Sequence, residues 1–133
     1  MKIERICITI PKDLLEYLDN KVEQSYSSRS EFIRDLIREY MIEEKWEKED
    51  EELIGVIVII YDHHKRELTQ KMLEIQHNHY LNILCNTHIH IDHNNCLETI
   101  TVKGTNKIIT ETLNAIAGLN GVKFAKLVKA SKI

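Results

Sequence analysis

The chain has 133 residues, 43% of them hydrophobic and 29% charged, and a formal net charge of −3 at pH 7. That balance excludes an intrinsically disordered chain and a bulk-basic nucleic-acid binder, and it fits one ordinary globular domain or two small ones. No apolar run approaches the roughly 18–20 residues that span a bilayer, the N-terminus lacks a signal-peptide layout, and three scattered cysteines (Cys7, Cys85, Cys96) read as reduced thiols, so a cytoplasmic protein without a membrane partner is expected.

Residues 5–10 alternate strictly, with Ile6, Ile8 and Ile10 on one face and Arg5, Cys7 and Thr9 on the other, which predicts a strand. Pro11 ends it and suits the first turn of a helix carrying Leu14, Leu15, Leu18 and Val22. Tyr26, Ser27 and Ser28 break that helix. Either serine is a natural N-cap for a second helix, with Phe32, Ile33, Leu36, Ile37, Tyr40 and Met41 on its apolar side. Strand–helix–helix in so few residues cannot build a core alone. The partner that completes the strand is the same strand from a second copy, so residues 1–46 predict an obligate dimer with a two-stranded antiparallel ribbon.

The stretch EEKWEKEDEE (43–52) reads as a solvated helix end plus a charged linker, 47–52. A second pattern fills 53–133. Residues 53–61 are a β-branched apolar run, 63–79 have helical periodicity, and 80–91 with 96–103 read as a hairpin. A helix over 106–117 and a strand over 121–130 follow. The order βαββαβ is a ferredoxin-like, ACT-like arrangement, making the whole chain α+β.

The chemistry concentrates near the middle, where His63, His77, His88, His90 and Cys96 fall at His-x13-His-x10-His-x-His-x5-Cys. In THIHIDHNNCLE, His88 and His90 share one face of a strand, and the turn residues of DHNN return the chain so that Cys96 comes back beside them. With His77 from the preceding helix, this makes three imidazoles and a thiolate, a ligand set for a late first-row transition metal. Spacing leaves nickel, copper and tetrahedral zinc open. His63, His64, His79 and His93 each read, taken alone, as structural, supporting or solvated residues.

The first segment has seven Lys/Arg against eight Asp/Glu over residues 1–42, so any DNA contact must be local. A two-stranded ribbon fits the major groove, where Arg5, Cys7 and Thr9 would meet base edges. The second helix start, around Ser28 and Arg29, would meet a phosphate.

Taken together, the chain resembles the NikR family of nickel-responsive ribbon-helix-helix transcription regulators. The resemblance runs from RICITIPKDLLEYLD and SSRSEFIRDLIREYM through YDHHKREL, IQHNHY and THIHIDHNNCLETITVKG to GVKFAKL. It implies a homotetramer, a dimer of dimers, with one Ni2+ per subunit held square-planar by His88, His90 and Cys96 of one subunit and His77 of its neighbour. It further implies supporting roles for Gln76 and Glu98, packing of Tyr61 beside the site, and a second cation site at Glu31 and Asp35. The implied function is metal-dependent repression of nickel uptake genes at a palindromic operator. Two positions depart from the family pattern: Cys7 stands where a threonine is common among base readers, and Phe124 where a histidine is frequent. A metal-activated hydrolase, a metal store or structural-zinc oligomerisation protein without operator specificity, and the same regulator answering to copper, cobalt or zinc are the rival readings. No catalytic residue is expected, because four ligands close the site and no general base stands beside them.

Overall fold

Inward and outward residues alternate along the strands of the second half, and that alternation builds the sheet. The computed structural model describes residues 2–78 and 82–132, so His79 and the expected strand start at Tyr80 lie outside the described residues. The elements are α1 (Lys12–Ser25), α2 (Arg29–Trp46), β1 (Leu53–Asp62), α3 (Arg66–Asn78), β2 (Asn82–His90), β3 (Asn95–Gly104), α4 (Asn106–Ala117) and β4 (Val122–Ala130). The chain divides into two compact units, Met1–Tyr40 and Met41–Ile133.

In the first unit, Pro11 caps α1 and Ser28 Oγ accepts the Glu31 N–H at 3.1 Å, an N-cap for α2 as the serine pattern predicts. Residues 2–11 form no regular element in the single chain. A strand is defined by ladder hydrogen bonds, and within one chain these residues have no ladder. Much of the apolar face stays bare: Ile6 is 78% exposed and Ile8 56%, while among the described residues of this unit Leu18 is buried.

In the second unit the sheet order is β2-β3-β1-β4, antiparallel throughout, which is the ferredoxin-like order. Leu53, Ile57, Ile59 and Tyr61 of β1 and Cys96, Ile100 and Val102 of β3 point into a core shared with Leu68 and Met72 of α3 and Ile109 and Ile116 of α4. The Thr105 hydroxyl caps α4 by accepting the Ile108 N–H at 3.3 Å.

Residues 43–46 differ from the solvated helix end expected of them. Trp46 is 1% exposed, its Nε1–H donates to the Ala130 carbonyl at 3.0 Å, and the Trp46 carbonyl accepts from Asn106 Nδ2. The indole packs over Gly55, where an added Cβ would stand 3.3 Å from Trp46 and 2.8 Å from Leu127. Ile42 and Trp46 lie one turn apart on α2 and side with the second unit, which is why the division falls at Tyr40 rather than at residue 46. Trp46→Ala is expected to destabilise the second unit by about 3–5 kcal/mol, read as a lower urea midpoint at unchanged slope. A shift within experimental error would refute that role for the indole.

The sheet face opposite α3 and α4 is less enclosed among the described residues of this unit. Ile54, Val56, Val58 and Ile60 are half-buried there, and Ile89 (55%), Phe124 (41%) and Val128 (57%) are exposed.

Candidate metal centre

The hairpin register decides what meets what. His90 pairs with Cys96 and His88 with Glu98 across β2 and β3, while Tyr61 of β1 flanks Cys96 from the other side. Asp92 sets the turn: its Oδ1 accepts the N–H groups of Asn94 and Asn95, each at 2.8 Å, and the Ile91 N–H donates to the Asn95 carbonyl at 2.9 Å. Cys96 therefore returns directly opposite His90, with Sγ 3.3 Å from Nδ1. A sulfur and a nitrogen bound to one ion at about 2.3 and 2.0 Å stand roughly 3–3.5 Å apart, so this pair fits a shared metal.

The hairpin sites differ in access because β2 is an edge strand and β3 is internal. Cys96 is fully buried, while His88 and His90 are exposed. The His88 ring lies 5.4 Å from that of His90 and 6.1 Å from Tyr61. His77 is exposed near the end of α3. Among the described residues, the group of three whose ligand atoms all lie within 4.8 Å of one another is His63, His90 and Cys96; His77 and His88 are not in it.

Sequence reasoning left His63 without a role. It follows the end of β1, whose Tyr61 is already paired with Cys96, and its N–H donates to the Asn94 carbonyl at 3.3 Å. The backbone path of YDHH out of β1 is the signal that points to it.

Burial pushes the Cys96 thiol above its ordinary range, with Glu98, Asp62 and Asp92 adding in that order. Burial lowers His63, helped by its neighbours His64 and His90. Tyr61 is pushed up to about 12, by burial first and then by Glu98 and Cys96. Cys96 therefore holds its proton at neutral pH without metal, and a metal must displace it.

Gln76 and Glu98 are buried at 5% and 8% exposure, and Glu98 Oε1 accepts from Asn86 Nδ2 at 2.8 Å. A cavity of ≈ 260 Å³ lined by Tyr61, Met72, Gln76, Asn86, His88 and Glu98 lies beside them. These positions stand next to the donors without joining the group of three.

In the first unit Arg5, Cys7 and Thr9 are exposed. The Arg29 guanidinium donates to both Asp19 oxygens at 2.7 and 2.9 Å, which holds that carboxyl below the usual range. Its fork is thus engaged within the unit rather than free for a phosphate. The two carboxylates of the expected second cation site are also engaged separately: Glu31 accepts from Arg34, and Asp35 accepts the Tyr26 hydroxyl at 2.6 Å.

Comparison with known proteins covers both units. The NikR C-terminal nickel-binding domain matches residues 54–130, and the ribbon-helix-helix protein of the copG family matches residues 4–44. A Campylobacter concisus protein named as a nickel-responsive regulator is 50% identical over 96% of this chain and 93% of its own length. One of that name from Helicobacter pylori is 50% identical over 97% of this chain and 90% of its own length. Solved structures similar in fold include an uncharacterized Thermotoga maritima protein (TM-score 0.53, 19% identity, covering 59% of this chain and 98% of that one). Another is the ACT domain of the GTP pyrophosphokinase of Chlorobium tepidum (TM-score 0.50, 13% identity, covering 59% of this chain and 100% of that one).

Proposed function

We propose, from the premise that this chain belongs to the NikR family of nickel-responsive ribbon-helix-helix regulators, that it is a nickel-dependent repressor of nickel uptake genes. The family is one of regulators rather than enzymes. The observation that carries the nickel part is the buried Cys96 thiol facing His90 at 3.3 Å on the end of the hairpin. His88, His90 and Cys96 of one subunit and His77 of its neighbour would form the site, one per subunit. Two facts support a shared site: His77 is exposed and stands apart from the donor group of its own chain, and the sheet presents an apolar face less enclosed than the one against α3 and α4. The exposed Ile6 and Ile8 support the dimer ribbon in the same way. Together these favour a homotetramer, a dimer of dimers.

Nickel, when bound, supplies a link between subunits. His77 would then tie the end of its α3 to the neighbour's hairpin, whose turn is braced by the hydrogen bonds between Asp92 and Asn95. The ensemble of ribbon orientations narrows to those that meet both half-sites of a palindromic operator. Shifting such an equilibrium from 1:99 to 99:1 requires about 5.5 kcal/mol of differential binding, which several coupled sites can provide.

Arg5, Cys7 and Thr9 would read base edges, Arg5 by bidentate contact to guanine. Backbone N–H groups at the start of α2, around Ser28, would hold a phosphate. Arg5→Ala is expected to lose about 1–3 kcal/mol of preference for operator over random DNA while nickel stoichiometry is unchanged, as measured by fluorescence anisotropy on both DNAs. Equal weakening on both DNAs would reduce Arg5 to a phosphate contact. The function itself is tested by selecting genomic fragments with full-length protein, with and without nickel. Enrichment of a palindrome only when nickel is present supports the reading, and no nickel-dependent enrichment refutes it.

A further inference from the structure

We propose that Asn86 is a positioning residue of the nickel site: its side-chain amide holds the Glu98 carboxylate so that Glu98 orients the His88 ring for ligation. The inference deepens the shared-site reading above and rests on it, since His88 matters here as a donor to nickel. The hairpin ladder puts the three residues together. His88 pairs directly with Glu98 and Asn86 with Ile100, so Asn86, His88 and His90 of β2 lie on the same sheet face as Cys96, Glu98 and Ile100 of β3. Side chains directly opposite in such a ladder stand about 4.5–5.5 Å apart at Cβ, within reach for an imidazole and a carboxylate. Asn86 stands diagonal to Glu98 on that face, and its Nδ2 donates to Glu98 Oε1 at 2.8 Å.

Glu98 needs such a partner. It is 8% exposed and lines the cavity it shares with Asn86, His88, Tyr61 and Gln76, and a carboxylate drawn out of water is costly unless it is hydrogen-bonded. A carboxylate only accepts, so the amide must turn its nitrogen toward it; being neutral, the amide satisfies one oxygen without cancelling charge as a lysine would. With Oε1 held, the end of the Glu98 side chain loses its freedom to turn, and Oε2 is left for the His88 ring N–H across the ladder. A ligating histidine that gives its second N–H to a carboxylate is fixed in one tautomer and one ring orientation. His88 needs this more than His90 does. The His90 ring already meets Cys96 Sγ at 3.3 Å, whereas His88 is exposed on an edge strand and stands outside the donors gathered within 4.8 Å of one another.

The test is a nickel titration of the full-length reduced apoprotein in competition with a chelator, followed through the thiolate-to-nickel absorption band. It compares wild type, Asn86→Leu, Asn86→Gln, Glu98→Ala and the double variant Asn86→Leu with Glu98→Ala. Asn86→Leu keeps the volume and removes the donor. It should weaken nickel binding about tenfold at an unchanged urea midpoint, the low end of what disturbing a ligand's support costs. Asn86→Gln restores the donor and should bring binding back to within about threefold of wild type. The double variant should match Glu98→Ala alone to within about twofold, because the amide acts only through the carboxylate. Wild-type nickel affinity in Asn86→Leu would overturn the proposal, as would a double variant weaker than Glu98→Ala by the full Asn86→Leu factor. A loss that comes with a lower urea midpoint and is not repaired by Asn86→Gln would also overturn it, leaving Asn86 a structural residue of the hairpin. A wild type without the band would overturn the shared nickel site and this proposal with it, whereas a normal wild-type band beside an indifferent Asn86→Leu would leave the nickel site standing.

Discussion

Cys96→Ser is expected to abolish both the thiolate-to-nickel absorption band and the nickel dependence of operator binding. Cys96 is fully buried on β3, between Tyr61 and His90, and it is the sulfur donor of the cluster. Serine fits the space but keeps its proton and binds late metals poorly. Disturbing a partner of a ligand already costs about 10–100-fold in affinity, so loss of the thiolate itself should cost roughly 100-fold or more. The fold should survive, because a single smaller side chain removes little of the core. Proton counting sharpens the test. The wild-type thiol is pushed up and must ionise to bind, so nickel affinity falls as pH drops, and the wild type should release about one proton more per nickel than any residual binding by the variant. A Cys96→Ser protein whose operator affinity still rose with nickel would sink the proposed mechanism.

Mixing two inactive variants should restore binding. His77→Ala and Cys96→Ser each break every site if the four donors come from two subunits. Unfolded and refolded together in equal amounts, they should regain roughly a quarter of the nickel sites by random assortment, because some interfaces then pair an intact hairpin with an intact His77. If all four donors came from one chain, the mixture would regain nothing. Nickel-band intensity per chain therefore decides where His77 acts. The structure motivates the experiment, since His77 is exposed near the end of α3 and stands outside the group formed by His63, His90 and Cys96.

Much of the second unit was legible in the residues because its signals are local. The β-branched apolar run at 53–61 and the hairpin pattern ending in 96–103 predict strands, the observed β1 and β3 contain those stretches, and α4 spans residues 106–117 as predicted. The pairing of His90 with Cys96 follows from two short-range facts, the strand period and the turn chemistry of DHNN, and the hairpin shows it in register. Trp46 went the other way. Its neighbours in EEKWEKEDEE are all charged, so nothing within a few residues shows that the indole packs over Gly55 and bonds to Ala130. The strand expected at 5–10 is a third case: its alternation is plain, but a single chain offers it no ladder partner, so the chain shows exposed isoleucines and no strand there.

The sequence alone therefore determined the α+β class, the βαββαβ order and the kinship of the motif residues, because period, turn chemistry and residue spacing are carried by neighbours in the chain. Tertiary structure alone decided that the end of α2 belongs to the second unit, that Arg29 is taken up by Asp19, and that His63 rather than His77 joins His90 and Cys96 within a subunit. Each of those depends on the docking of segments far apart in sequence. The loop after β1 reaches the hairpin turn through His63 N–H to the Asn94 carbonyl and through His64 Nε2 to the His93 carbonyl, and no periodicity records such contacts.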